Sequence, residues 1–101
     1  MEIIFHGHRA PMSPRLTRRA REGVSKLARR LGRPVDAIVR FEEDGPARRV
    51  EITLHSPRQK PIIADARARY TGTALSQALD RLGAQVDRVR RQRLARRVVR
   101  A

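Results

Sequence analysis

The chain has no cysteine, no tryptophan, one tyrosine and two phenylalanines among its 101 residues. Without cysteine there is no disulfide framework, no thiolate nucleophile and no cysteine-ligated zinc. So few aromatic rings argue against a single-strand binder that stacks bases, and they leave an aliphatic core as the only core available. The longest apolar runs are about three residues, too short for a membrane-crossing helix or the hydrophobic segment of a secretory leader. With cysteine also absent, a cytoplasmic location is expected. Acidic residues are scarce as well: 10 against 24 basic, for a net charge of +14. Lysine is nearly missing from that basic set, which consists of 22 arginines with Lys26 and Lys60. Such charge on a single small domain implies a polyanionic partner, because self-repulsion opposes the compact state. The arginine skew suits phosphate through the planar guanidinium fork, although a GC-rich genome produces the same bias.

What is present is ordered in six segments. Ile3 and Phe5 open a strand over residues 2–8, with Gly7 ending the run, and Arg9 to Met12 form a loop. Ser13 followed by Pro14 is a helix start, since a proline at the first helical position lacks only an amide that would be unpaired anyway. Leu16, Ala20, Val24, Leu27 and Leu31 then recur as one apolar stripe of a helix, closed by Gly32 and Pro34. Val35, Ala37, Val39 and Phe41 alternate with Asp36, Arg40 and Glu42 in a second strand that turns at Asp44-Gly45-Pro46. Val50, Ile52 and Leu54 mark a third strand, and Ser56-Pro57-Arg58-Gln59 a second turn. Ile62, Ala64, Ala66 and Ala68 mark a fourth, whose alanines predict close packing of a helix. Thr71-Gly72-Thr73 reads as a loop with a threonine cap. The closing helix carries Leu75, Leu79, Leu82, Val86 and Val89. Continued to about Arg97 it is roughly 35 Å long at 1.5 Å per residue, longer than short strands can cover. Its residues from about 93 onward are expected to project, fray or be disordered without a partner.

The expected fold is therefore α+β, β-α-β-β-β-α, in one domain over residues 1–101. It is a two-layer sandwich in which both helices pack on one face of a four-stranded, mostly antiparallel sheet.

Little suggests catalysis. His6 and His8 stand two apart on one side of a strand, but zinc needs three or four ligands and only His55 or a scattered carboxylate could complete them. Surface imidazoles near a basic patch are the preferred reading, with no metal and no cofactor. Glu42, Glu43 and Asp44 read as a solvated hairpin end. No serine sits in a nucleophile elbow, and no glycine loop resembles a phosphate cradle.

The distribution of basic residues is more informative. On the first helix Arg18, Lys26 and Arg29 fall opposite the apolar stripe, with Arg15 and Arg19 on its shoulder. On the second, Arg81, Arg88 and Arg91 turn outward while Arg90, Arg93, Arg96 and Arg97 crowd the end. An ordinary solvated helix face has mixed signs, yet residues 15–33 hold eight basic residues and only Glu22 as an acid. Residues 88–101 hold seven basic residues and no acid. A single cationic surface over the helical layer is expected, suited to phosphates.

The order of these elements, with Ile3-x-Phe5-x-Gly7, Ser13 and Leu16, Lys26-Leu27, Ala64 to Ala66, Ala74-Leu75, Leu79-Asp80-Arg81-Leu82 and Gln85, resembles the short form of the ribosome hibernation promoting factors. That family includes the ribosome-associated inhibitor A proteins, and the resemblance covers nearly the whole chain. It implies a domain close to the double-stranded RNA-binding domain, seated in the messenger and transfer RNA channel of the small (30S) subunit. There it silences translation, with basic residues of both helices against 16S rRNA. By position that role carries over to Lys26, Arg81, Arg88 and Arg91. Long-form members add a C-terminal dimerisation domain. The chain ends at Ala101 without one, so pairing of ribosomes by that route is not expected. Three positions depart from the family's pattern. Gly23 stands where a lysine is frequent, Ser76 where an acid is usual, and Tyr70-Thr71-Gly72 where an Asp-x-Tyr turn is common.

The expected RNA-binding set is Arg15, Arg18, Lys26, Arg29, Arg81, Arg88, Arg90 and Arg91. Its expected partners are the 30S subunit, 16S rRNA and the 70S ribosome, with no membrane and a monomer off the ribosome. The alternatives are a general double-stranded RNA binder, a protein adaptor that docks an acidic partner, and a small enzyme, the last lacking site residues.

Overall fold

A computed structural model of the protein describes residues 1–8 and 13–100. The loop expected over 9–12 lies outside them. The elements run β1 (Ile3–His8), α1 (Pro14–Leu31), β2 (Asp36–Asp44), β3 (Ala47–His55), β4 (Ile62–Ala68) and α2 (Thr71–Arg100). The strands form one sheet in the order β1-β2-β3-β4. β1 pairs parallel to β2, and the other two pairings are antiparallel. The parallel pair follows from chain economy: a strand can return alongside its predecessor in the same direction only over a crossover, and α1 is that crossover.

Local chemistry sets the boundaries. The Ser13 hydroxyl accepts from the Leu16 amide at 3.1 Å, which occupies one of the donors that the helix leaves unpaired. Pro14 follows as the first helical residue. Gly32 ends α1 in the left-handed region at φ 64°, and its amide donates to the Arg29 carbonyl. Gly45, also at positive φ, stands before Pro46 in the two-residue hairpin loop joining Asp44 to Ala47, as in a type II′ turn.

One boundary differs from the sequence reading. α2 begins at Thr71, so Thr71, Gly72 and Thr73 belong to its first turn, and the Ala74 amide donates to the Tyr70 carbonyl at 3.0 Å. Turn-forming residues are tolerated there because the first turn lacks a full set of helical hydrogen bonds. At the other end α2 remains helical to Arg100. At 1.5 Å per residue it is about 45 Å long and overhangs the sheet.

The core lies between the sheet and the helices. Val39, Phe41, Val50, Ile52 and Leu54 of the central strands meet Val24 and Leu31 of α1 and Leu75, Leu82 and Val86 of α2, all fully buried. Ala64 and Ala66 on β4 face a helix bearing Ala74 and Ala78, and these small residues let α2 lie close over β4. Among the described residues no polar or charged side chain is buried. Among the described residues nothing covers the opposite sheet face, which carries three isoleucines and a threonine in one row across all four strands, Ile4, Ile38, Thr53 and Ile63 in register.

Candidate nucleic-acid interface

The Ser13 cap and the Leu16 to Leu31 stripe together fix the rotation of α1. With Ala20, Val24, Leu27, Ala28 and Leu31 buried, Arg15, Arg18, Lys26 and Arg29 are exposed on the opposite side. Their exposure is what the apolar stripe implies. Glu22 is its only acid.

The two helices run side by side in the same direction along a seam that can be followed contact by contact. Arg19 donates to the Ser76 hydroxyl at 2.6 Å. Gly23 faces Leu79, Leu27 faces Gly83, and Arg30 pairs with Asp87 at 3.7 Å. Arg90, one turn past Asp87 on the same flank, is exposed, as are Arg88 and Arg91.

Arg81 lies elsewhere. Its guanidinium donates to the Asp65 carbonyl at 2.6 Å, and one turn later the Gln85 amide donates to the Ile63 carbonyl at 2.6 Å. Both groups sit on the free edge of β4, on the flank of α2 away from α1. The wheel position that reads as outward is thus lateral, because α2 lies over the edge strand and its flanking side chains reach down to unpaired strand carbonyls. Arg81 is therefore separated from the α1 cations instead of merging with them.

Charge is divided between the layers. The two helices carry 15 basic and three acidic residues, whereas the four strands carry four basic and six acidic. Every arginine of the four strands has a carboxylate within ion-pair distance. Arg40 pairs with Glu51 at 3.8 Å, Arg48 with Glu43 at 3.4 Å, and Arg67 with Asp44. Arg49 meets Glu51 at 2.8 Å, Asp65 at 3.1 Å and Glu42 at 3.3 Å. The hydrogen bond that Arg49 donates to Glu51, opposed by partial burial and aided by Asp65, holds the pKa of the Arg49 guanidinium above its ordinary value. Of the cations expected on the helices, Arg15, Arg18, Lys26, Arg29, Arg88, Arg90 and Arg91 have no ion pair among the described residues. Phosphates would find charge already neutralised on the sheet and available on the helices.

His6 stands exposed on the open sheet face in register with Arg40. Among the described residues no three histidine or carboxylate side chains gather where a metal ion could be held. No described helix is long and apolar enough to cross a membrane. One feature has no counterpart in the sequence reading. Arg33, Arg58 and Lys60 converge with Arg93 and Arg96 on a cleft below the overhanging end of α2. The only sequence signal for it is the arrangement Pro57-Arg58-Gln59-Lys60-Pro61, two cations held between prolines.

Comparison with known proteins agrees with the fold. The structure is similar to that of the Thermus thermophilus Protein Y N-terminal domain, with a TM-score of 0.75 and 22% identity over 88% of this chain and 99% of that one. It is similar also to a ribosomal subunit interface protein from Coxiella burnetii, with a TM-score of 0.75 and 16% identity over 89% and 98% of the two chains. The sequence has no significant match among curated proteins. The family described as "Sigma 54 modulation protein / S30EA ribosomal protein" matches residues 3–94. With the β-α-β-β-β-α order, the two-helix layer and a match over nearly its whole length, the chain belongs to this non-enzymatic, ribosome-associated family.

Proposed function

We propose that the protein silences translation by occupancy. It binds the 30S subunit in the messenger and transfer RNA channel, lays the outer face of its helical layer on 16S rRNA, and excludes the RNAs that would otherwise pass. No bond is made or broken in this reading. Its location is the cytoplasm, its partners are the 30S subunit and the 70S ribosome, and off the ribosome it is a monomer.

The observation that carries the reading is the division of charge between the layers. A protein that was basic only for solubility would spread its carboxylates over both faces. Here they neutralise the sheet, while among the described residues Arg30 is the one cation of α1 and α2 with an ion pair. Unpaired arginine on a rigid helical face suits RNA backbone, because each phosphate contact releases a condensed counterion and no ion pair has to be broken first. Family membership supplies the ribosome as the source of that RNA.

Co-sedimentation with isolated 30S and 50S subunits, in the presence of excess double-stranded RNA, tests it. Retention on 30S particles despite the competitor is the expected result. Complete removal by the competitor would assign a general double-stranded RNA binder instead.

A further inference from the structure

Where α2 overhangs the end of the sheet, its underside, the β3–β4 turn and the segment after α1 enclose an open cleft of about 510 Å³. Five cations reach it from three parts of the chain: Arg33, Arg58 with Lys60, and Arg93 with Arg96. Ile62 and Val89 are its apolar lining, and among the described residues no carboxylate lines it. It is separate from the outward face of Arg15, Arg18, Arg88 and Arg91.

Two of these cations are held in place by their own surroundings, Arg58 by its turn and Arg33 by a hydrogen bond. The Gln59 amide donates to the Ser56 carbonyl at 3.3 Å, closing a turn with Pro57 second and Arg58 third. Arg58 has φ 61° and is the only non-glycine with positive φ among the described residues. The third position of a type II turn normally takes glycine for this reason, and an L-residue there costs about 1–2 kcal/mol. An arginine is thus kept where the backbone prefers none, and its side chain faces the cleft. Pro57 and Pro61 stiffen the segment on both sides. Arg33 is aimed by a hydrogen bond from its Nε to the Ser56 hydroxyl at 3.0 Å, which leaves its terminal nitrogens free to donate. Arg93 lies alongside Gly32 at the end of α1, its Nη2 3.8 Å from where a Cβ on that glycine would stand. Five converging like charges repel one another unless an anion is shared between them. The volume exceeds what one phosphate requires and lies within the roughly 300–1,000 Å³ of small-ligand sites.

We propose that this cleft binds a group of closely spaced phosphates, supplied either by the polyphosphate chain of a free nucleotide or by a sharply bent stretch of RNA backbone. Arg58 and Lys60 grip it from the turn, Arg93 and Arg96 from the helix, and Arg33 closes the third side. The proposal stands apart from ribosome binding, and its test needs no ribosome.

The intact protein is titrated with inorganic tripolyphosphate by calorimetry. One saturable site is expected. The double variant Arg58→Gly/Lys60→Gln should weaken it by about tenfold or more, since each lost charge-assisted contact contributes about 1.5–3 kcal/mol. Glycine suits the positive φ at residue 58, so the variant should fold at least as well as the parent, and a thermal melt checks this. Arg15→Gln/Arg18→Gln removes the same charge from α1 and should leave the site unchanged. Equal weakening in both variants, or no saturable site, would overturn the proposal. Displacement of tripolyphosphate by a nucleoside triphosphate but not by a short single-stranded RNA assigns a free nucleotide, and the reverse assigns RNA backbone. Displacement by neither would also overturn it.

Discussion

Gly23 on α1 faces Leu79 on α2 so closely that a Cβ on residue 23 would stand 2.8 Å from Cδ1 of Leu79 and 3.0 Å from its Cδ2. A glycine in mid-helix costs about 1 kcal/mol relative to alanine, and here that cost lets the helices approach. The other two departures from the family pattern lie on the same seam. Arg19 donates to the Ser76 hydroxyl, and its Nη1 lies 3.3 Å from where a Cβ on Gly72 would be. Gly72 and Ser76 thus accommodate one arginine of α1, and Gly23 accommodates one leucine of α2. The three departures together describe one helix–helix contact.

Substitution at Gly23 should therefore depend on size. Gly23→Ala gains helix propensity but displaces the mobile end of Leu79, so urea denaturation should show a net change below about 1 kcal/mol. Gly23→Leu has nowhere to put its added carbons and should cost about 1–3 kcal/mol. A Gly23→Leu protein as stable as the parent would show that the seam can open without cost.

Arg81 and Gln85 together occupy two carbonyls on the free edge of β4, which would otherwise be open to another strand. Arg81→Ala/Gln85→Ala should lose about 1 kcal/mol per hydrogen bond. It should also self-associate in sedimentation velocity at concentrations where the parent is monomeric. An unchanged sedimentation profile would mean that the edge is protected by other means.

Beyond Val89, α2 has little beneath it, and Leu94 is 55% exposed. Amide exchange should be slow in the strands and in both helices to about Val89, then rise steeply through residues 93–100 in the isolated protein. Even protection to the end of the helix would show that the basic segment already packs on its own domain.

If about six phosphates are neutralised on the ribosome, affinity should fall roughly a thousandfold between about 50 and 200 mM salt. A flat response would favour an adaptor with an apolar contact, for which the Ile4, Ile38, Thr53 and Ile63 row is the available surface.

Most of the fold was legible because its signals are local. The Ser13-Pro14 start, the Gly32 stop and the period-two alternation of Ala37, Val39 and Phe41 each act within a few residues. The sequence puts the start of α2 three residues late because Thr71, Gly72 and Thr73 carry turn chemistry that a first helical turn also accepts. The exposure of Arg15, Arg18, Lys26 and Arg29 followed from one stripe on one helix. Arg81 did not, because a helical wheel gives an angle but not which neighbour lies along it. The cleft was out of reach altogether, since residues 33, 58, 60, 93 and 96 meet only after the sheet and both helices have assembled.

The central claim is that the helical layer, and not net charge, binds the ribosome. Its most direct test is co-sedimentation of two charge-matched variants with 30S subunits. Arg88→Glu/Arg91→Glu reverses two exposed, unpaired cations of α2, while Arg40→Glu/Arg48→Glu reverses two that are ion-paired on the sheet. Both should fold, since exposed ion pairs are worth about 0–1 kcal/mol each. The account predicts selective loss of 30S binding in the helix variant, with the sheet variant binding as the parent does. Equal loss in both, or loss confined to the sheet variant, would contradict it.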